Sequence, residues 1–243
     1  MTQLPSNEHL LDNPVWHSLN GPLARFAAPD SSGALAQFDR DVSVFSGVEC
    51  ADDGMWQRIS ECIDVEQSVG LFRDWVPEVS TGWEEHFRIA CFQMIAGDIP
   101  LSTSRDVVQL GPDDAQEMLD LVQLTESAPF GLRTREMGRY VGVRRDGRLV
   151  AIAGERFRVP GFVEISAVST HPDARGHGLA TDLTLNVAAS IRMGGSEACL
   201  HVIDSNETAL RLYLKLGFVV RRKVEVVFAQ WHGPDWQPDA VPA

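Results

Sequence analysis

The second half of the chain alternates extended segments with amphipathic ones. Apolar residues recur every fourth position from Leu179 to Ile191, which is the spacing of one helix face packed on a sheet. Asp146 and Gly147 separate two extended runs, and this pair is typical of a two-residue hairpin turn because both positions need a positive φ. The predicted strands are residues 107–110, 140–145, 148–157, 162–170, 197–203 and 218–231. The predicted helices are residues 112–121, 178–193 and 205–216, the last capped by Ser205. This order predicts a mixed α/β sheet.

The first half has a less regular pattern. Residues 34–48 and 87–95 contain aromatic and β-branched side chains that favour strands, whereas the mixed pattern of residues 55–72 permits a helix. Glycine, proline and small polar residues cluster between Gly97 and Arg105. We therefore predict an N-terminal region, residues 1–104, and a second domain, residues 105–243.

Charge and composition narrow the class of function. The 243 residues carry a net charge of −13, which argues against a nucleic-acid partner because such binding needs a basic face. Residues 1–104 contain 5 basic and 16 acidic side chains, but residues 105–243 contain 16 and 18, so a polyanionic cofactor is easier to bind in the second half.

No apolar run reaches the roughly 18–20 residues of a membrane helix, and the N-terminus has no secretory pattern. The four cysteines lack metal-type spacing, so we expect a cytoplasmic protein without a metal site or a membrane contact.

The segment from Val168 to Ala180 has the features of an anion site. A strand ends, Pro172 makes a turn, and a loop of small residues opens a helix whose first N–H groups have no internal partner. Gly176 and Gly178 allow a pyrophosphate to approach the backbone, and Arg175 can add a charged contact. The spacing fits neither GxGxxG nor GxxxxGK[ST], which argues against a dinucleotide or P-loop nucleotide site and leaves a simple tight turn as the alternative.

Two motifs at a characteristic distance point to a known superfamily. Residues 175–180, RGHGLA, are followed about 28 residues later by Asn206-Glu207-Thr208-Ala209, then by Leu212-Tyr213 and Leu216-Gly217-Phe218. This arrangement resembles the two signatures of the GNAT superfamily of N-acetyltransferases. An early NPVW at residues 13–16 is similar to the FR47-like branch of that superfamily. The resemblance implies a GNAT fold over residues 105–243, preceded by a degenerate GNAT-like half that serves as a scaffold.

The resemblance also implies a role for individual residues. In the superfamily the strand before the first signature pairs with the pantetheine arm of acetyl-CoA, the signature loop binds the pyrophosphate, and the asparagine of the second signature contacts the cofactor. The corresponding cofactor-binding residues here are Val168, Ser169, Thr170, Arg175, Gly176, His177, Gly178, Leu179, Ala180, Thr181 and Asn206. Tyr213 corresponds to the tyrosine that donates a proton to the departing CoA thiolate.

The general base is less constrained by the sequence. Glu164 shares strand parity with Ser166 and Val168, so we expect it to face the substrate cleft and to act as the catalytic base. Glu155 and His201 are alternatives. The predicted reaction is transfer of an acetyl group from acetyl-CoA to an amine by direct attack, and the alternative is a non-catalytic acyl-CoA-binding or regulatory protein. The acceptor is not named by the sequence, and a homodimer is left open.

Overall fold

The computed structural model describes residues 9–29, 31, 33–100 and 106–237. Five α-helices have the following bounds: α1 Pro14–Leu19, α2 Met55–Ser60, α3 Ala115–Thr125, α4 Leu179–Met193 and α5 Glu207–Lys215. The first five strands are β1 Leu35–Gln37, β2 Phe45–Val48, β3 Ser68–Arg73, β4 Trp83–Ala96 and β5 Val107–Gln109. The last five are β6 Tyr140–Arg145, β7 Arg148–Val159, β8 Phe162–Thr170, β9 Glu197–Ile203 and β10 Phe218–Trp231. No helix among the described residues is long and apolar enough to span a membrane.

The chain forms two compact units that are interleaved along the sequence. The first unit comprises residues 1–39, 44–91 and 223–243, and the second comprises residues 40–43 and 92–222. The long strands β4 and β10 therefore each contribute residues to both units. The boundary expected near residues 97–105 lies partly outside the described residues, and the division into residues 1–104 and 105–243 stays a prediction.

The second unit has the mixed α/β architecture that its sequence pattern predicts. Its strands follow the order β4-β9-β8-β7-β6-β5, in which β8 and β9 are parallel and β5 to β8 are antiparallel neighbours. The apolar row of α4 packs on β7, β8 and β9 because its buried leucine, valine and isoleucine side chains meet those of the strands. The Asp146-Gly147 turn has the two positive φ angles predicted for it, 50° and 81°. Asn206, and not Ser205, caps α5, because its side chain accepts a hydrogen bond from the Ala209 N–H.

A bulge in β8 changes which side chains share a face of the sheet. Ile152 of β7 pairs with Ser169 and Gly154 pairs with Ser166, so β8 uses one residue more than β7 over this step. Ala167 has a left-handed φ of 52° there. Val168 consequently packs with the α4 cluster, whereas Ala167 packs with the α3 cluster. The prediction that Glu164 and Val168 share a face of the sheet is therefore wrong, because the bulge lies between them.

The first unit is built from β1, β2, β3 and the C-terminal part of β10, with residues 83–91 of β4. β1 and β2 are antiparallel, α2 then connects β2 to its parallel neighbour β3, and β3 pairs antiparallel with β10. Trp56 of α2 packs against Trp83 in the core of this unit, with ring centroids 4.8 Å apart. The helix permitted over residues 55–72 ends at Ser60, and Ser68–Arg73 form a strand instead.

Candidate active site

The parallel pair β8 and β9 separates partway along its length. Paired positions run from Phe162 and Glu197 to Ile165 and Leu200, whereas β8 continues to Thr170 and β9 to Ile203. Among the described residues, no paired position joins the two strands beyond Ile165. The edge of β8 that faces β9 can therefore offer its N–H and C=O groups to an extended ligand with amide groups of its own.

The loop of residues 171–178, which includes a short 3-10 helix at Pro172–Ala174, connects this opened strand to the N-terminus of α4. Gly178 is its N-cap with a φ of 76°, and no side chain caps the helix, so the first N–H groups of the helix are available to a ligand. A β-carbon placed on Gly176 or Gly178 would meet no atom within 4 Å, which shows that the loop borders open space. An uncapped helix end beside open space suits a pyrophosphate.

The other predicted cofactor residues surround this loop. Arg175 is exposed, and its Nε donates to the Thr170 carbonyl oxygen at 3.3 Å, which directs the side chain back along the end of β8. His177 is exposed, and its Nδ1 contacts the Arg175 carbonyl oxygen at 2.9 Å. Leu179 is buried on the inner face of α4, so only its backbone N–H can face a ligand. Ala180 and Thr181 are half-buried in the first turn of the helix.

The side chain of Ser169 is engaged within the protein. Its Oγ donates to the Ala167 carbonyl oxygen at 3.2 Å and makes a short hydrogen bond with the Ser127 Oγ, from the loop after α3. Thr170 has a buried Oγ1 with no hydrogen-bond partner among the described residues. A contact of Ser169 with a cofactor is therefore restricted to its backbone, whereas Thr170 keeps a hydroxyl that can bind.

Tyr213 lies in the same hydrophobic cluster as Val168 and Leu179. Its ring packs edge-on against Phe218 at 5.9 Å, and 8% of the residue is exposed. Burial raises the pKa of the Tyr213 hydroxyl to about 12, so the group stays protonated at neutral pH. Asn206, the other signature residue of this region, is exposed at the N-terminus of α5, where its Oδ1 caps the helix.

The sequence predicts that Glu164 faces the substrate cleft, but the structure buries this side chain. Only 1% of the residue is exposed, and Arg156 binds its carboxylate through two N–H groups at 2.8 and 2.7 Å. Burial alone would raise the pKa of Glu164, but the charge and hydrogen bonds of Arg156, with a hydrogen bond from His201, lower it to about 2. A carboxylate with this pKa is a weak proton acceptor, so its surroundings do not fit the role of general base.

The two alternative bases are also engaged by neighbours. Glu155 is buried and accepts a hydrogen bond from Arg158 at 2.7 Å and a longer one from the Arg139 N–H at 3.4 Å. The Nδ1 of His201 lies 2.7 Å from a Glu164 oxygen, and its Nε2 lies 3.0 Å from the Gln93 amide nitrogen. The carboxylate oxygens of Glu164 and both ring nitrogens of His201 are therefore engaged, whereas both of these hydrogen bonds to Glu155 use its Oε2. No group of three or more His, Cys, Asp or Glu side chains in the described ranges is placed to hold a metal ion.

Comparison with known proteins identifies the family to which this arrangement belongs. A family model described as FR47-like protein matches residues 140–227, which include the opened strand, the α4 N-terminus and Tyr213. A solved structure assigned to the GNAT acetyltransferase family, from Novosphingobium aromaticivorans, is 34% identical, with a TM-score of 0.82. The match covers 92% of this chain and 99% of that one. The chain belongs to the GNAT family of acetyltransferases.

Two further relatives of this GNAT protein differ in how much of the chain they match. A GCN5-related N-acetyltransferase from Kribbella flavida shares the fold over 90% of this chain and 94% of its own, with a TM-score of 0.60 and 20% identity. A mycothiol acetyltransferase from Thermomonospora curvata is 39% identical over 85 residues. That stretch is 35% of this chain and 28% of the relative, so the chain spans little more than a quarter of the relative's length.

Several polar residues of this GNAT chain were not identified from its sequence. Three of them, on three different strands, contact the Glu164–His201 pair or continue from it: Arg156 of β7, Gln93 of β4 and Arg221 of β10. The signal available was a glutamate between Val163 and Ile165, because a charged side chain inside an apolar strand usually has a partner when buried. The sequence alone does not show which of the many arginines supplies that partner.

Proposed function

We propose that the protein is an acetyl-CoA-dependent N-acetyltransferase that transfers the acetyl group to an amine by direct attack. The observation that carries this proposal is the uncapped α4 N-terminus at the end of the loop that follows the strand separating from β9. In acetyl-CoA a pyrophosphate is followed by an arm of amide groups that leads to the thioester; the pyrophosphate matches the helix end, and the arm matches the opened strand. The bound cofactor supplies the activated acetyl group.

The cofactor-binding residues divide between backbone and side-chain contacts. Val168, Ser169 and Thr170 offer main-chain groups to the pantetheine arm, and the N–H of Val168 is suited to polarise the thioester carbonyl. Residues 176–181 offer the loop and first-turn N–H groups to the pyrophosphate, and Arg175 and His177 border them. Asn206 can add a contact through its side-chain amide at the N-terminus of α5.

Tyr213 is the proposed proton donor to the CoA thiolate. Its hydroxyl holds its proton at working pH because burial raises its pKa to about 12. A thiolate formed beside the same buried ring is also poorly solvated, which raises its own basicity and favours the transfer. Tyr213 shares its hydrophobic cluster with Val168 of the cofactor strand, which supports this assignment.

The amine is proposed to react in its uncharged form after losing one proton to solvent. Its nitrogen loses a second proton to solvent as the amide bond forms, and solvent returns to Tyr213 the proton that it gives to the thiolate. Glu164, Glu155 and His201 are each held by neighbouring donors or acceptors, so none is assigned as the base. This departs from the prediction that Glu164 removes the proton. The rate is then expected to rise with pH up to the pKa of the acceptor itself.

The N-terminal region is proposed to be a degenerate GNAT-like scaffold without a cofactor site of its own. Its β1–β2 hairpin, the α2 connection and the parallel strand β3 repeat the order of β7, β8, α4 and β9. Its loop before α2 contains Asp52 and Asp53. The positive charge of Arg58 is already paired with Asp52 at 2.8 Å, so a pyrophosphate would meet net negative charge there. A cytoplasmic location and the absence of nucleic-acid and membrane partners stay predictions.

The experiment measures CoA release from acetyl-CoA with a panel of amines, for the wild type and for Tyr213→Phe. A thiol-containing amine belongs in the panel because part of a mycothiol acetyltransferase matches the chain. We expect turnover on at least one amine and a fall in kcat of about a hundredfold in Tyr213→Phe, with acetyl-CoA affinity preserved.

Two results would contradict this function. Acetyl-CoA binding without turnover on any amine would favour a non-catalytic acyl-CoA-binding protein. A wild type that binds ATP or NAD in preference to CoA would point to a nucleotide site instead. Equal kcat for the wild type and Tyr213→Phe would remove the tyrosine from the mechanism while leaving the enzyme class in place.

A further inference from the structure

A continuous chain of polar side chains crosses the sheet of the second unit. Arg156 of β7 binds Glu164 of β8, and Glu164 binds His201 of β9 at 2.7 Å. His201 contacts Gln93 of β4 at 3.0 Å, and the Gln93 oxygen accepts from Arg221 of β10 at 2.7 Å. Glu164 and Gln93 are 1% and 0% exposed, so this chain is buried at its centre. We call these five residues the cross-strand network.

The carboxylate of Glu164 is fully occupied by donors of the protein. Oε1 accepts from the Arg156 Nη2 and the His201 Nδ1, while Oε2 accepts from the Arg156 Nε and from the Phe157 N–H at 3.3 Å. A carboxylate has about four lone-pair positions, and all four are used here. Burial disfavours the charged form of Glu164, but Arg156 and His201 outweigh it, and the low pKa agrees with their hydrogen bonds.

The far end of the network fixes the proton on His201. Arg221 can only donate, so Gln93 must turn its oxygen toward Arg221 and its amide N–H toward His201. The Nε2 of His201 then accepts from Gln93, and the Nδ1 carries the proton that is donated to Glu164. The network thus has one direction of donation from Arg221 to Glu164, and it leaves neither ring nitrogen of His201 unoccupied.

The Glu164–His201 hydrogen bond lies where the two strands separate. Ile165 and Leu200 form the last paired position between β8 and β9. Glu164 precedes that pair on one strand, and His201 follows it on the other, so their hydrogen bond crosses the parallel pair diagonally at its final rung. The next residues of β8 carry the bulge at Ala167 and then the backbone from Val168 to Thr170.

We propose that Glu164 and His201 are positioning residues whose hydrogen bond sets the point at which β8 and β9 separate. Through this bond they hold the backbone of Val168, Ser169 and Thr170 in the position that receives the pantetheine arm. The proposal rests on the proposed function for the identity of that ligand. It predicts that breaking the bond weakens acetyl-CoA binding and leaves the pH dependence of turnover unchanged.

Two substitutions of His201 separate the positioning bond from general stability. The amide nitrogen of asparagine can take the place of the Nδ1, so His201→Asn keeps a donor to Glu164, whereas glutamine places its amide near the Nε2 position and His201→Gln loses that donor. We expect His201→Gln to raise the Kd for acetyl-CoA about tenfold, because a hydrogen bond to a charged group is lost. We expect His201→Asn to stay within about threefold of the wild type.

The matched control is Asp114→Asn, in the same unit but away from β8 and β9. Asp114 pairs with Arg144 at 2.5 Å, so its loss tests whether a broken ion pair alone changes binding. Isothermal titration with acetyl-CoA and a thermal melt are measured for every variant. We expect Asp114→Asn to lower Tm without changing the Kd, so a lower Tm in His201→Gln does not by itself explain a weaker affinity.

The pH profile of kcat gives an independent readout. If Glu164 only positions the strand, Glu164→Gln keeps the rise of kcat with pH that is expected of the wild type. If Glu164 is the base, the substitution abolishes that rise. Loss of the rise with unchanged acetyl-CoA binding, or equal Kd values for the wild type and His201→Gln, would overturn the proposal. A wild type that binds no acetyl-CoA would instead overturn the proposed function.

Discussion

The chain has two tyrosines, and their hydroxyl groups have different surroundings. Tyr213 lies in one hydrophobic cluster with Val168 of β8, whereas Tyr140 packs with the α3 cluster and contacts Phe130 edge-on at 5.6 Å. A β-carbon on Gly154 would approach the Tyr140 ring to 2.2 Å, so the ring lies flat on that glycine. Burial raises the pKa of Tyr140, and its hydroxyl has no hydrogen-bond partner among the described residues. Nothing in the described part of the chain therefore compensates for the burial of the Tyr140 hydroxyl.

We predict that Tyr140→Phe increases the free energy of unfolding by about 1 kcal/mol, measured by urea denaturation. The substitution removes a buried hydroxyl without breaking a hydrogen bond between described residues and keeps the ring on Gly154. Tyr140→Leu is the control, and it should destabilise by about 2 kcal/mol or more because it removes the ring and leaves a cavity. A loss of stability in Tyr140→Phe would show that the hydroxyl has a partner.

At the scale of the element, α4 combines an apolar inner face with an N-terminus that no side chain caps. Both glycines of the loop have positive φ angles, 80° at Gly176 and 76° at Gly178, which L-residues with a side chain adopt at a cost. The same conformation occurs at Gly147, in the exposed hairpin turn, with a φ of 81° and no atom within 4 Å of an added β-carbon. The chain therefore contains its own control for a substitution at the α4 loop.

We predict that Gly178→Ala and Gly147→Ala each lower the free energy of unfolding by about 1 kcal/mol, because each forces alanine into the left-handed region. Only Gly178→Ala should weaken acetyl-CoA binding, by about tenfold, because its methyl group occupies the approach of the pyrophosphate. Thermal melts and calorimetric titration of both variants check this. Equal affinity in the two variants would remove Gly178 from the cofactor site.

The elements of the second unit were predictable because each has a local signal. Residues 140–145, 162–170 and 197–203 match the observed strands, since alternation and turn residues bound them on both sides. The bulge at Ala167 has no such signal, because alanine is not a residue that favours a positive φ. The bulge is seen only in the pairing of β7 with β8, where β8 has one extra residue. This extra residue places Val168 on the face opposite to the one expected.

The first unit was harder to predict because its strands depend on distant partners. Val69 and Leu71 fit a helix as well as a strand when only their neighbours in sequence are considered. In the structure they pair with Ala229 and Val227 of β10, and this long-range pairing decides in favour of the strand. The sequence also does not show that the carboxylate of Glu164 is fully hydrogen-bonded, because its donors Arg156 and His201 lie on two other strands.

At the scale of the whole molecule, the first unit contains a pH-sensitive contact between a histidine of its C-terminal segment and two acidic side chains of the N-terminal region. The Nδ1 of His232 lies 2.9 Å from Glu66, and the Nε2 lies 3.0 Å from Glu84. Hydrogen bonds to Glu66 and then to Glu84 raise the pKa of His232 above its usual 6.5, against the opposing effect of burial. Trp236 stacks on the ring at 4.6 Å. Two carboxylates thus favour the doubly protonated imidazolium.

This contact predicts a loss of stability on the alkaline side of neutrality. A raised folded-state pKa contributes stability that is complete below the unfolded value near 6.5 and is lost as pH rises through the folded value. We expect the Tm of the wild type to fall more than that of His232→Gln between about pH 6 and pH 9. Glu66→Gln removes one of the two carboxylates at His232 and should likewise reduce the fall in Tm. Parallel curves for the wild type and His232→Gln would exclude the contact as the cause.

The sharing of β10 between the compact units has a consequence for the order of folding during synthesis. β3 belongs to the first unit, but its antiparallel partner, residues 225–230, is translated only after the whole of the second unit has been made. A nascent chain that has just completed β3 therefore exposes an unpaired strand edge, the kind of surface that promotes association between chains. The sheet of the first unit therefore cannot be completed until the second unit and the following residues of β10 have been synthesised.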